Sequence, residues 1–255
     1  MNILVVNDDG IRVEGIRRLV EALAPEANVY VCAPHIQRSA TGHGISIGTP
    51  LEARDVDFDN AKLAIEITGT PVDCVKLGLN LLAKRGIEID MLFSGINHGG
   101  NLGTDTLYSG TVSAAREGCF CGKPSVAVSV NSHKPAHFEM ACELALRTLR
   151  NAYGKLGSRA ALNINTPDVP IEKIRGVKIT RLGEREYIEN FIAKENEEGV
   201  AQYWYSGEPV IYTGLPSDID VIAMQEGYAT ITPLHYDLTD YKLLEEVKSW
   251  ALDSD

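Results

Sequence analysis

Ile3-Leu4-Val5-Val6-Asn7-Asp8-Asp9-Gly10 decides how this chain folds. An unbroken run of branched apolar residues that stops on a polar turn reads as a strand buried on both faces of a parallel sheet. From Glu14 to Ala24 the apolar residues Ile16, Leu19, Val20 and Leu23 recur at helical spacing, and Pro25 ends the helix. Val29-Tyr30-Val31-Cys32-Ala33, closed by Pro34, reads as a second strand. A β-α-β unit placed first predicts a doubly wound, mostly parallel α/β sheet.

The pattern continues outward. Residues His35 to Pro50 are polar and glycine-rich, hence a loop, and Leu63 to Thr68 reads as a strand. Thr70-Pro71-Val72-Asp73 is a helix start, with Thr70 as N-cap, Pro71 at the first helical position and Asp73 three residues past the cap. Met91 to Ser94 is a further buried strand, and the glycine-rich stretch from Gly95 to Gly103 reads as loop. Thr111 to Glu117 reads as helix, with Gly118 as its C-cap. Strands at Ser125–Val130 and Ala161–Ile164 flank a helix at Phe138–Leu149. After about residue 180 the character changes. Glu184 to Val210 is charged and carries Tyr187, Tyr203, Trp204 and Tyr205, which reads as a protruding β-hairpin or a small subdomain. Tyr241 to Ala251 reads as a closing helix with Leu244, Val247 and Ala251 on one stripe. The expected organisation is a catalytic core over residues 1–180 and a hairpin and oligomerisation extension over 181–255.

Bulk properties narrow the function. A net charge of −11 argues against a general nucleic-acid binder, which presents a basic face. It leaves room for a small anionic substrate, because a divalent cation inverts the local charge. The five cysteines, irregularly spaced, read as free thiols in a reducing compartment. The N-terminus passes straight into the first strand with no basic region or cleavage site, and no apolar run approaches a membrane span, so the cytoplasm is expected.

Three polar clusters fall at strand ends, where open α/β sheets bind ligands. They are Asp8-Asp9-Gly10, Arg38-Ser39, and Asn97 with Asn101. Two adjacent carboxylates converging with a hydroxyl and an amide oxygen form an all-oxygen site of the kind Mg²⁺ or Mn²⁺ prefers. The plainer alternative is that Asp8 and Asp9 cap a turn or a helix. Tyr108-Ser109-Gly110-Thr111-Val112 stands at a helix N-terminus, where free N–H groups and the helix dipole favour an anion. Ser109 or Thr111 could equally serve only as a cap. His43 and His98 are weaker candidates for a substrate role. No Walker loop or dinucleotide fingerprint is present.

With these blocks assembled, the chain resembles the SurE family of nucleotidases, the survival proteins. The resemblance rests on residues 3–10, on Ala33-Pro34 with Gln37-Arg38-Ser39, and on Gly69-Thr70-Pro71-Val72-Asp73-Cys74-Val75-Lys76. It rests also on Ser94-Gly95-Ile96-Asn97 with Asn101-Leu102-Gly103, on residues 108–112 with Ala114 to Gly118, and on Ile231-Thr232-Pro233-Leu234. It implies a Rossmann-like core and hydrolysis of nucleoside 5′- and 3′-monophosphates. It implies one divalent cation per subunit, Mg²⁺ or Mn²⁺, on Asp8, Asp9, Ser39 and Asn97. The substrate phosphate is then expected on Asn101, Ser109, Gly110 and Thr111, with Asp8 and Asp9 as the catalytic pair and no general base assigned. A homodimer or homotetramer exchanging C-terminal elements is implied too, with no nucleic-acid duplex or membrane as partner. His35 departs from the family pattern, which more often has an acidic residue after Ala-Pro. The competing reading is a phospho-receiver module, which also opens on a strand ending in paired acids. It needs a Lys-Pro just after a strand, whereas Lys123-Pro124 precedes one.

Overall fold

In the computed structural model, which describes residues 1–188, 191–205, 207–250 and 252, β1 (Asn2–Val6) is the centre of the molecule. Its side chains alternate between two cores. Ile3 and Val5 enter one apolar cluster, and Leu4 and Val6 enter another on the opposite face. A strand wholly buried on both faces cannot show a polar alternation, which is why residues 3–6 read as continuous hydrophobe.

Helix α1 (Glu14–Leu23) follows, then β2 (Asn28–Pro34), β3 (Ala53–Val56), β4 (Leu63–Ile67) and α2 (Pro71–Lys84). The capping box of α2 forms as its spacing predicts. Thr70 Oγ1 accepts the Asp73 N–H at 3.1 Å, and the Asp73 carboxylate accepts the Thr70 N–H at 2.9 Å. The chain continues through β5 (Met91–His98), α3 (Gly110–Phe120), β6 (Ser125–Val130), α4 (Glu139–Ala152), β7 (Ala160–Thr166) and β8 (Val177–Ile179). The segment beyond holds β9 (Tyr187–Ile188), β10 (Phe191–Glu195), β11 (Ala201–Tyr205), β12 (Glu208–Pro209), α5 (Asp220–Gln225), β13 (Ala229–His235) and α6 (Tyr241–Lys248).

Nine strands form one sheet in the order β3-β4-β2-β1-β5-β6-β7-β13-β8. Pairing is parallel except where β3 meets β4 and β13 meets β7. Helices α1 and α4 cover one face through Ile16, Leu19, Val20, Ala141, Leu144 and Leu149, and α2 and α3 cover the other through Cys74, Val75, Leu82 and Ala114. Burying one such aliphatic side chain contributes roughly 1.5–3 kcal/mol, so each helix is held by its apolar face rather than by propensity. The sheet is therefore doubly wound, as the opening β-α-β unit predicts. β13, from the segment beyond residue 180, lies inside it between β7 and β8.

Two local expectations change. Gly118 lies inside α3 rather than at its end. A Cβ there would sit 2.3 Å from Ser125 Oγ, so the glycine lets the helix lie close on β6, and Gly122 at φ 77° takes the turn. The stretch Gly95 to His98 belongs to β5 rather than to a loop. Gly95 is required because a Cβ would meet the Val128 carbonyl oxygen at 2.2 Å. The hairpin expected over 184–210 is present as β10 paired antiparallel to β11, with β9 paired to β12 at its base. Helix α6 buries no side chain, and Leu243 and Leu244 stay 44% and 41% exposed. Ala251 of its expected stripe lies outside the described residues, as does the Tyr205 side chain.

Candidate metal and phosphate site

Strand order reverses about β1, with β2 and β4 on one side and β5 to β7 on the other. The crevice outside the carboxyl ends of β1 and β5 is thus the switch point of the sheet. After β1 the chain makes a tight turn. Asn7 Nδ2 donates to the Gly10 carbonyl at 2.8 Å, and Gly10 adopts φ 108°, a conformation that favours glycine. Two backbone bonds tie this turn to the loop after β2. Ile11 N–H donates to the Pro34 carbonyl at 2.8 Å, and Arg38 N–H donates to the Asp8 carbonyl at 2.6 Å. They bring Ser39 to the carboxylate pair.

Asp8 and Asp9 are both buried, at 3% and 6% exposure. Asp8 Oδ1 accepts the Thr111 hydroxyl at 2.5 Å. Asp9 Oδ2 accepts the His98 backbone N–H at 3.0 Å, and Asp9 Oδ1 accepts Gln37 Nε2 at 3.2 Å. The same Gln37 nitrogen donates to Ser39 Oγ at 2.9 Å, so one amide spans Asp9 and Ser39. Asn97, 8% exposed, donates through Nδ2 to the Gly99 carbonyl at 2.7 Å, and its Oδ1 makes no hydrogen bond among the described residues. Neither aspartate forms a salt bridge among those residues. Burial, then the neighbouring Asp9 charge, push the Asp8 carboxyl up to about 7, against the opposing Thr111 hydroxyl bond.

Helix α3 begins directly over Asp8. Gly110 has no room for a side chain: a Cβ would stand 2.9 Å from Asp8 Cβ and 3.0 Å from its Oδ2. The Asp8 carboxylate therefore faces the positive end of the α3 dipole. Ser109 is the N-cap, its Oγ accepting the Val112 N–H at 3.0 Å, and Thr111 spends its hydroxyl on Asp8. Asn101 is set in a buried amide network. Its N–H donates to Asn165 Oδ1 at 2.7 Å, its Nδ2 to Ser129 Oγ at 2.8 Å, and its carbonyl accepts Asn163 and Asn165.

The residues suit a hard divalent cation. Two adjacent carboxylates in a buried site, with no positive side chain among the described residues paired to them, carry a repulsion that a dication removes. Every candidate ligand is oxygen, which suits Mg²⁺ or Mn²⁺ rather than a thiolate-seeking metal. Among the described residues no group of three or more His, Cys, Asp or Glu gathers to hold a metal, so the hydroxyl and amide oxygens of Ser39 and Asn97 would have to complete the set. Lys123, the lysine a receiver module would need here, lies before β6 at the opposite edge of the sheet, 3.9 Å from Glu88.

Several neighbours escaped the sequence reading. Gln37 stood inside a recognised block without a role, and the long-range Thr111–Asp8 bond leaves no local signal. The two candidate histidines turn elsewhere. The His98 ring packs 5.9 Å from Phe138, and His43 Nε2 lies 2.9 Å from Glu117 Oε2. Glu117 also accepts Lys76 Nζ at 2.9 Å, and Ser46 is held by Asp73, so α2 and α3 pin the loop that carries Ser39.

The sequence profile of the family described as "Survival protein SurE" matches residues 3–189. The 5′-nucleotidase SurE of Pelotomaculum thermopropionicum is 46% identical over 250 residues, covering 97% of this chain and 94% of that protein. The 5′-nucleotidase SurE of Carboxydothermus hydrogenoformans is 44% identical, covering 98% and 96%. The crystal structure of the SurE protein from Aquifex aeolicus superposes with a TM-score of 0.84 at 35% identity, covering 98% of this chain and 99% of that one.

Proposed function

Because the chain belongs to the SurE family, we propose that it is a 5′-nucleotidase that needs a divalent cation and also accepts 3′-monophosphates. The single observation that carries the metal requirement is the buried Asp8–Asp9 pair, without a positive partner among the described residues, under the N-terminus of α3. Asp8, Asp9, Ser39 and Asn97 would hold the cation, Mg²⁺ or Mn²⁺. When bound, it supplies Lewis-acid stabilisation of the negative charge on the phosphoryl oxygens.

The chain's own groups do the rest. Asp8 and Asp9 orient the attacking water, and neither is assigned as general base. Gln37 fixes Asp9 and Ser39 relative to each other through its bonds to both. The start of α3 directs its dipole and the N–H groups of Gly110 and Thr111 at the phosphate, and the Ser109 hydroxyl proton is available to donate while its oxygen caps the helix. Asn101, positioned by its bonds to Asn165 and Ser129, completes the expected phosphate set. Water adds to phosphorus as the ester P–O bond breaks, and the nucleoside leaves as its alcohol.

We assign residues 1–180 the catalytic core, with β13 returning into its sheet, and the rest of residues 181–255 the hairpin and assembly extension. The unpartnered apolar side chains of α6 support a homodimer or homotetramer built through that segment. Among the described residues no helix is long and apolar enough to cross a membrane, and the cytoplasm is our proposed compartment. The test is phosphate release from a panel of 5′- and 3′-monophosphates with Mg²⁺, Mn²⁺ or chelator. Release that survives chelation removes the metal requirement, and no release from any nucleotide removes the activity.

A further inference from the structure

A cavity of about 810 Å³ opens beside the carboxylate pair. That size lies within the roughly 300–1,000 Å³ of small-molecule sites. One wall is continuous with the candidate site: Ala40 follows Ser39, Tyr108 precedes Ser109, and the Gly42 N–H donates to the Tyr108 carbonyl at 3.0 Å. The other wall is the base of the hairpin, with Arg185 and Tyr187.

The two walls are fastened by polar contacts. Thr104 Oγ1 accepts the Arg185 N–H at 3.1 Å and donates to the Arg185 carbonyl at 2.8 Å. Asp105 Oδ2 accepts the Tyr187 hydroxyl at 2.5 Å and lies 3.1 Å from Arg185 Nη1. The guanidinium carbon stands 5.6 Å from the Tyr187 ring centre. At the 3.1 Å separation the guanidinium and the Asp105 carboxylate pair, and Nη1 itself is buried in the wall. Tyr108 has its backbone pinned and is 68% exposed at the mouth.

Flat aromatic faces, a planar guanidinium, a carboxylate and a hydroxyl suit a flat heteroaromatic ring carrying a polyhydroxylated sugar. We propose that this cavity takes the nucleoside half of the substrate, the base stacking on Tyr108 and the sugar hydroxyls meeting Thr104, Asp105 and Arg185. The hairpin base is thereby a substrate-selecting wall as well as part of an assembly element. Stacking reads the face that every base has, so tolerance of different bases follows. This inference rests on the nucleotidase reading above.

A free nucleoside lacks the phosphate, so its inhibition constant reads this cavity alone. The experiment measures inhibition of AMP hydrolysis by adenosine and, separately, by inorganic phosphate, using the full chain with Mn²⁺. In Tyr108→Ala the adenosine inhibition constant should rise roughly 10–100-fold, the range for losing one base-stacking partner. The constant for phosphate should move far less, and Tyr108→Trp should restore adenosine binding. Arg185→Lys, which keeps the charge beside Asp105 and loses the planar fork, should give a smaller rise. The Tyr108 ring is exposed, so its loss leaves the core intact, and circular dichroism checks this. An adenosine constant unchanged in both variants, a parallel rise for adenosine and phosphate, or no adenosine inhibition of a wild type that hydrolyses AMP each overturns the inference alone. No hydrolysis of any nucleotide by the wild type overturns the nucleotidase reading and this inference with it.

Discussion

Replacing Asp8 by Asn should make the metal-free protein more stable while abolishing its activity. In the folded chain, burial and the neighbouring Asp9 raise the Asp8 carboxyl from 3.8 to about 7. At about 1.4 kcal/mol per pH unit, that rise amounts to about 4 kcal/mol of cost in keeping Asp8 ionised. The folded state holds its proton more tightly than the unfolded chain does. The contribution of Asp8 to wild-type stability is therefore most favourable below about pH 4, falls as pH rises towards about 7, and is level above. The amide of the Asp8→Asn variant carries no charge and avoids this loss, though its oxygen accepts the Thr111 hydroxyl less strongly than a carboxylate does. A net gain of about 2–3 kcal/mol at pH 8 is left, which for a chain of this length raises the melting temperature by roughly 5–10 °C. The assay is thermal unfolding in chelator from pH 4 to pH 8, with metal titration and phosphate release in parallel. The stability difference should open between pH 4 and pH 7, the metal-induced rise in melting temperature should disappear, and turnover should fall by at least about 10²-fold. An Asp8→Asn protein no more stable than wild type at pH 8, or a difference that does not close at pH 4, refutes the argument from burial and like charge.

Gly110→Ala should cost at least about 10²-fold in turnover, because its Cβ would stand 2.9 Å from Asp8 Cβ and displacing a catalytic group by about 1 Å is that damaging; unchanged metal affinity by calorimetry would contradict it. Ser109→Ala removes both the cap on Val112 and a phosphate donor, so about 1 kcal/mol of stability and roughly 10–100-fold in turnover should be lost; full activity with reduced stability would leave Ser109 a cap only. Burial pushes Glu117 up, yet the hydrogen bonds from His43 and Lys76 prevail and hold it below its ordinary value. Its stabilisation is present above the usual carboxylate range and lost as pH falls through the lowered value, so Glu117→Gln should depress the melting temperature at pH 7 and much less at pH 3. Light scattering at micromolar concentration should give at least twice the mass of one chain, and a one-chain mass would contradict the assembly assigned to α6.

What the sequence determined alone is what depends on neighbours along the chain. The buried strand at residues 3–6, the amphipathic α1 and the capping box at Thr70 and Asp73 follow from burial periodicity and hydrogen bonds only three residues apart. Those signals placed Asp8, Asp9, Ser39 and Asn97 at strand ends, and hence the crevice. Where the meaning of a residue depended on a distant partner, only the tertiary structure decided it. Gly95 and Gly118 look like loop and cap glycines until Val128 and Ser125 come against them. Thr111 looks like a phosphate donor until Asp8, 103 positions away, accepts its hydroxyl. Arg185 and Tyr187 look like surface of a charged hairpin until the chain returns to Asp105. Such contacts are set by how the crossovers and the hairpin pack onto the sheet, and packing between segments so far apart leaves no periodicity in either of them.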